Sequence, residues 1–189
     1  MSRRRVTGNE LRAAAGKTIP DVLAAGLQVF FCGINPGLYS GAVGHHFARP
    51  GNRFWPTLHA AGFTPRRLRP DEQRQLIEFG CGLTNFVERT TASAAELSLD
   101  ELVEGRNRLA EKVARYQPVC VAVLGIGAYR TAFGDRHARP GEQPHSLAGA
   151  RVWVLPNPSG LNAHYQLDDL AKLFAELRRA VMAASGQRP

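Results

Sequence analysis

Apolar residues follow two spacings along this chain. Residues 27–32 (LQVFFC) and 119–124 (VCVAVL) are short, nearly continuous apolar runs rich in Val and Phe, each closed by glycine, and residues 151–155 (RVWVL) are a third, closed by Pro156. Residues 81–86 (CGLTNF) make a weaker fourth. Continuous rather than alternating hydrophobicity suits strands covered on both faces, as in a parallel sheet. Between these runs the period changes, and helical spacing covers residues 53–61, 71–79 after Pro70, 98–116, 128–133 and 167–184. In the stretch 98–116, Leu102, Leu109, Val113 and Tyr116 fall on one face, Ser98 is placed as N-cap, and Pro118 stops the helix before the next strand. Strands alternating with helices predict an α/β fold, a three-layer α/β/α sandwich around a small central, mostly parallel sheet. Ligands of such folds sit beyond the carboxyl ends of the strands, which directs attention to residues 33–53, 84–91 and 156–162.

Composition adds limits to that picture. The 189 residues are 44% hydrophobic and 21% charged, enough apolar material for one domain, expected over residues 18–184. Residues 1–17, with Arg3, Arg4, Arg5, Arg12 and Lys17, read as a basic, disordered arm, and residues 185–189 as a short tail. Lys and Arg exceed Asp and Glu by 24 to 16, a formal charge of +8 that favours polyanions such as nucleic acid; an Arg-rich soluble surface is the other reading. No apolar run is long enough to span a membrane, and the N-terminal arginines lack the apolar segment of a secretory signal, so a cytoplasmic address is expected. Cys32, Cys81 and Cys120, odd in number and widely spaced, match neither a disulfide framework nor a metal or iron–sulfur ligand pattern.

The candidate chemistry lies in the loops. Residues 33–55 read GINPGLYSGAVGHHFARPGNRFW, where Gly33 and Gly37 bracket Asn35 and Pro36. Glycines let a backbone approach a ligand and proline stiffens the turn, so Asn35 is either an amide displayed at a strand tip or part of an ordinary strand-ending turn. Residues 155–162 read LPNPSGLN, and turn formers there precede an apolar Leu161. Such a leucine is either a wedge for a base stack or a side chain folded back onto the core. GINPG is not GxGxxG and no GxxxxGK[ST] occurs, which sets aside a nucleotide-binding α/β protein.

Taken in order, GINPG, GHHFARPGNRFW, GLTNFVERTT and LPNPSGLN resemble the mismatch-specific uracil-DNA and thymine-DNA glycosylase family. The resemblance runs from about Thr18 to about Leu177. VERTT and GHH are similar to the thymine-DNA enzymes, NPSGL to the bacterial mismatch-specific uracil enzymes. It implies a monofunctional hydrolase that flips uracil, or another damaged pyrimidine, from opposite guanine and leaves an abasic site, using water and neither metal nor cofactor. The implied partners are duplex DNA with G·U or G·T mismatches and the abasic product, met by a monomer. Asn35 matches the catalytic Asn that positions water and hydrogen-bonds the flipped base. An amide has no accessible pKa near neutrality, so the leaving anion would be stabilised mainly by backbone N–H groups, which the resemblance places around Ile34 and Phe47. The Phe47 ring matches the stacking platform, His46 and Asn52 match pocket positions, Asn85 matches a base reader, and Thr91 stands near the attacking water. Ser159, Gly160, Leu161 and Asn162 match the intercalation loop, with Leu161 filling the vacated hole and the backbone of Gly160 and Asn162 pairing with the widowed guanine.

Two departures refine the expectation. The thymine-DNA branch carries Arg at the position of Leu161, which favours uracil here. Where family members have Gly-Lys, this chain has Gly125-Ile126, leaving Arg49, Arg53, Arg130 and Lys172 as candidate phosphate contacts. A competing reading keeps the same pocket and wedge in a non-catalytic module that binds mismatches or abasic sites.

Overall fold

The four apolar runs form the parallel part of one sheet, in a computed structural model that describes residues 6–185. β1 (Val29–Gly33) lies between β2 (Cys81–Asn85) and β3 (Cys120–Leu124), and β5 (Ala150–Leu155) pairs with β3, all parallel. β4 (Gly141–Leu147) closes the edge antiparallel to β5, giving the order β2-β1-β3-β5-β4. Successive residues of each central strand point to opposite faces. Val29, Phe31, Ala122, Leu124, Trp153 and Leu155 meet Phe54, Leu58, Phe174 and Leu177 on one side. Phe30, Cys32, Val121, Val123, Val152 and Val154 meet Leu109, Val113, Tyr129 and Ala132 on the other. Helices α3 (Phe54–Ala60) and α6 (Leu167–Ser185) therefore cover one face, and α4 (Leu99–Tyr116) and α5 (Ile126–Phe133) the other. That is the three-layer α/β/α sandwich that the continuous runs imply.

Ser98 caps α4 as its position suggests, accepting from the Glu101 N–H while Glu101 reaches back to the Ser98 N–H. The segment 71–79 is helical but wound as a 3₁₀ helix, Pro70–Phe79. Three elements lack a sequence signal. Segment 6–17, expected to be part of a disordered arm, contains α1 (Gly8–Ala13) with a Thr7–Glu10 capping box; the Gly16 N–H donates to Thr90 O and the Thr90 hydroxyl to Lys17 O. Ala14 is fully buried there, so a local cap and tertiary bonds outweigh the polar composition. Arg3, Arg4 and Arg5 lie outside the described residues. Helix α2 (Leu38–Val43) is six residues long and mixed in polarity. β4 is an edge strand with Pro144 and mostly exposed side chains, and Ala148 and Gly149, both at positive φ, connect it to β5 without the Asn-Gly or Asp-Gly signature of tight hairpins.

Candidate active site

The strand ends open onto one cleft of about 320 Å³, walled by segments from all three of the loops singled out above. Ile34, Asn35, His46, Phe47, Asn52, Asn85, Thr91, Ser159 and Leu161 line it, while Gly160 and Asn162 do not. Gly33 is its floor. A Cβ there would lie 2.4 Å from Asn85 Oδ1 and 3.2 Å from the Phe47 ring, so only glycine lets these two side chains meet across the strand end. The β1–β3 pairing stops at Cys32 and Val123, and among the described residues the Ile34 and Phe47 N–H groups have no backbone acceptor.

Asn35 is held by its nitrogen. Nδ2 donates to Thr91 Oγ1 at 2.7 Å and to the carbonyls of Arg89 and Pro36, each at 3.2 Å. Carbonyls only accept, and the Thr91 hydroxyl gives its own proton to Ser93 O at 2.8 Å, so the amide has one orientation. Oδ1 is left facing the cleft with no protein donor among the described residues. Thr91, expected near the attacking water, lines the cleft and orients Asn35; it is buried, and its N–H donates to Pro36 O. Arg89, which the sequence reading passed over, holds its own carbonyl in place through an ion pair with Glu101 at the start of α4.

A second polar pair fixes the depth of the cleft. His46 is 1% exposed, and its Nε2 lies 3.0 Å from Pro20 O, so Nε2 carries the proton. Nδ1 is then an acceptor, 3.4 Å from Asn85 Nδ2, and this sets the Asn85 amide. Burial pushes the His46 pKa below its ordinary value, against a smaller opposing effect of the Pro20 hydrogen bond, so the ring is neutral at pH 7. Pro20 sits beside Asp21, which is anchored by Lys112 at 2.7 Å. Gln73, with no sequence signal, accepts from the His46 N–H at 2.8 Å.

Phe47 adopts positive φ and stacks on Phe54 at 4.1 Å between ring centroids, turning its other side to the cleft. Asn52 Oδ1 accepts from the Phe54 N–H at 2.9 Å, which leaves its amide nitrogen for the cleft. Leu161 is 75% exposed, which decides between the two readings of that residue: it does not return to the core. The Asn162 N–H donates to Ser159 O and its carbonyl accepts from Arg53, which leaves the carbonyl's second lone pair for the expected guanine contact. Of the four candidate phosphate cations, Arg53 and Arg130 have carbonyl partners within the protein. Arg49 is exposed at the mouth of the cleft and Lys172 is exposed on α6. Among the described residues no carboxylate lines the cleft.

A family model, the uracil DNA glycosylase superfamily, matches residues 20–180. The chain belongs to this superfamily. Uracil DNA glycosylase superfamily members are hydrolases that release a base from DNA. The fold is similar to that of a protein from Methanosarcina acetivorans solved by solution NMR and described as a candidate uracil DNA glycosylase. The TM-score is 0.61 at 18% identity, covering 87% of this chain and 97% of that one.

Proposed function

We propose that this DNA glycosylase is mismatch-selective and removes uracil from opposite guanine. The observation that carries the reading is Asn35, an amide locked by three acceptors with its oxygen open to the cleft beside the free side of Phe47. A flipped base stacks on Phe47, a contact of about 1–3 kcal/mol in nucleic-acid complexes. Asn85, whose amide is oriented by neutral His46, reads the Watson–Crick edge, and the Asn52 amide nitrogen offers a further donor. Asn35 Oδ1 accepts a hydrogen bond from the water that attacks C1′. The C1′–N1 bond breaks, its electron pair stays on the base, and the Ile34 and Phe47 N–H groups stabilise that anion; the water proton passes to solvent. With no carboxylate at hand to take that proton, the chemistry is slow.

Selectivity follows from extrusion. A mismatched pair is the cheapest to open, and exposed Leu161 is the side chain available to occupy the vacated stack. Gly160 offers its backbone groups to the widowed guanine, and Asn162 offers the second lone pair of its carbonyl, its N–H being engaged with Ser159 O. Absence of a carboxylate also suits a module that binds the lesion without turnover, and one experiment separates the two. Single-turnover reactions on duplexes with G·U, A·U and G·T pairs and on single-stranded uracil should give alkali-labile sites fastest at G·U. No base release on any substrate, with tight binding to abasic duplex, would establish the binding module instead.

A further inference from the structure

The tip of the 157–165 loop, Gly160 and Leu161, is exposed and carries no apolar anchor, while Pro158 at its base is buried. Bonds within the loop, such as Asn162 Nδ2 to Asn157 O, shape its turn, and a side chain from outside it gathers its carbonyls. Arg53 directs Nη1 to Tyr165 O and Nη2 to both Ser159 O and Asn162 O, and its own N–H donates to Pro158 O at 2.9 Å. Four carbonyls spread over residues 158–165 thus converge on one residue. A second contact joins the same two segments: Gly160 lies so close to the Gly51 carbonyl that a Cβ would come within 2.6 Å of it. The segment that receives the loop also supplies Phe47, Arg49 and Asn52 to the cleft.

We propose that Arg53 is a positioning residue that couples the base pocket to the Leu161 loop, holding the loop in its DNA-ready shape before DNA arrives. This rests on the reading of Leu161 as the side chain that enters the stack. A guanidinium suits the task because its donors form a rigid planar fork, whereas a lysine ammonium is a single point that cannot span carbonyls of three residues. The geometry argues against the phosphate role suggested by charge alone, since Nη1 and Nη2 face loop carbonyls and Nε is buried. The loop is thereby ordered in advance, so DNA binding does not have to order it.

A double-mutant cycle read by binding tests the coupling. Wild type, R53M, L161A and R53M/L161A are titrated with a duplex carrying a tetrahydrofuran abasic analogue opposite guanine and 2-aminopurine beside it, with thermal melting measured alongside. R53M should weaken lesion binding by about tenfold or more, the size of one lost charge-assisted hydrogen bond, and reduce the 2-aminopurine response. It should do much less in the L161A background, because both changes remove the same wedge. Equal losses in both backgrounds would overturn the coupling. R53K, which keeps the charge, serves the same cycle should R53M melt below the assay temperature; an R53K protein that binds like wild type would show that charge alone suffices and would also overturn it. Wild type that fails to bind the lesion overturns the glycosylase reading and the coupling together, whereas wild type that binds with an additive cycle overturns the coupling alone.

Discussion

Replacing Thr91 by valine removes one hydroxyl from the centre of the site while nearly keeping the side chain's volume. That hydroxyl accepts from Asn35 Nδ2 at 2.7 Å and donates to Ser93 O at 2.8 Å. The variant keeps the Thr91 backbone bond to Pro36 O, and Asn35 keeps its two carbonyl partners at 3.2 Å. Asn35 therefore retains its orientation but loses the shortest of three tethers. A partly unserved amide donor corresponds to about 1–2 kcal/mol, so single-turnover uracil release should slow by about 5- to 30-fold. Stability should fall by about 1–3 kcal/mol, because Ser93 O also loses its partner. The assay is excision from a G·U duplex at saturating protein, run beside thermal melting, with Thr91→Ser as the variant that keeps the hydroxyl. Thr91→Ser should recover most of the rate. An unchanged rate in Thr91→Val, or a Thr91→Ser protein as slow as Thr91→Val, would refute the tether. A loss as large as that of Asn35→Ala would mean that the hydroxyl touches the water itself.

Two further outcomes follow from the cations and the buried histidine. Arg49→Ala should reduce the slope of log binding constant against log salt by about 0.9, the share of one phosphate contact, whereas Arg130→Ala, whose donors face Ala138 O, should leave that slope unchanged in titrations from low to moderate salt. His46 has a depressed pKa in the fold, so between that value and about 6.5 the unfolded chain binds more protons; its contribution to stability is present above that window and is lost as pH falls through it. Melting temperatures of wild type should therefore drop between pH 7.5 and 5.5 more steeply than those of His46→Asn, and parallel curves would contradict a neutral buried ring.

Much of the fold is legible because the central strands are buried on both faces and so read as unbroken apolar runs. Phe30 and Phe31 contact opposite layers, so neither face of the strand needs a polar residue. β4 escapes for the converse reason: an edge strand has one partner and little to bury. The motif segments meet at one cleft, yet the sequence does not say which of their atoms meet. Thr91 binds the Asn35 amide and Arg53 binds loop carbonyls, both through hydrogen bonds between residues far apart in the chain. Gln73 carries no local pattern, and Arg89 lies within VERTT without a sign of what it does, since their roles exist only once the helices and loops have packed.

Base release in the proposed reaction depends on the oxygen of Asn35. Asn35→Ala and wild type should be compared in single-turnover reactions on a G·U duplex, following free uracil, with binding to an abasic analogue duplex measured on the same preparations. Base release should fall by about 100-fold or more in Asn35→Ala, the scale of removing one preorganised polar group, with lesion binding changed only a few-fold. Uracil release by Asn35→Ala at the wild-type rate would contradict that dependence.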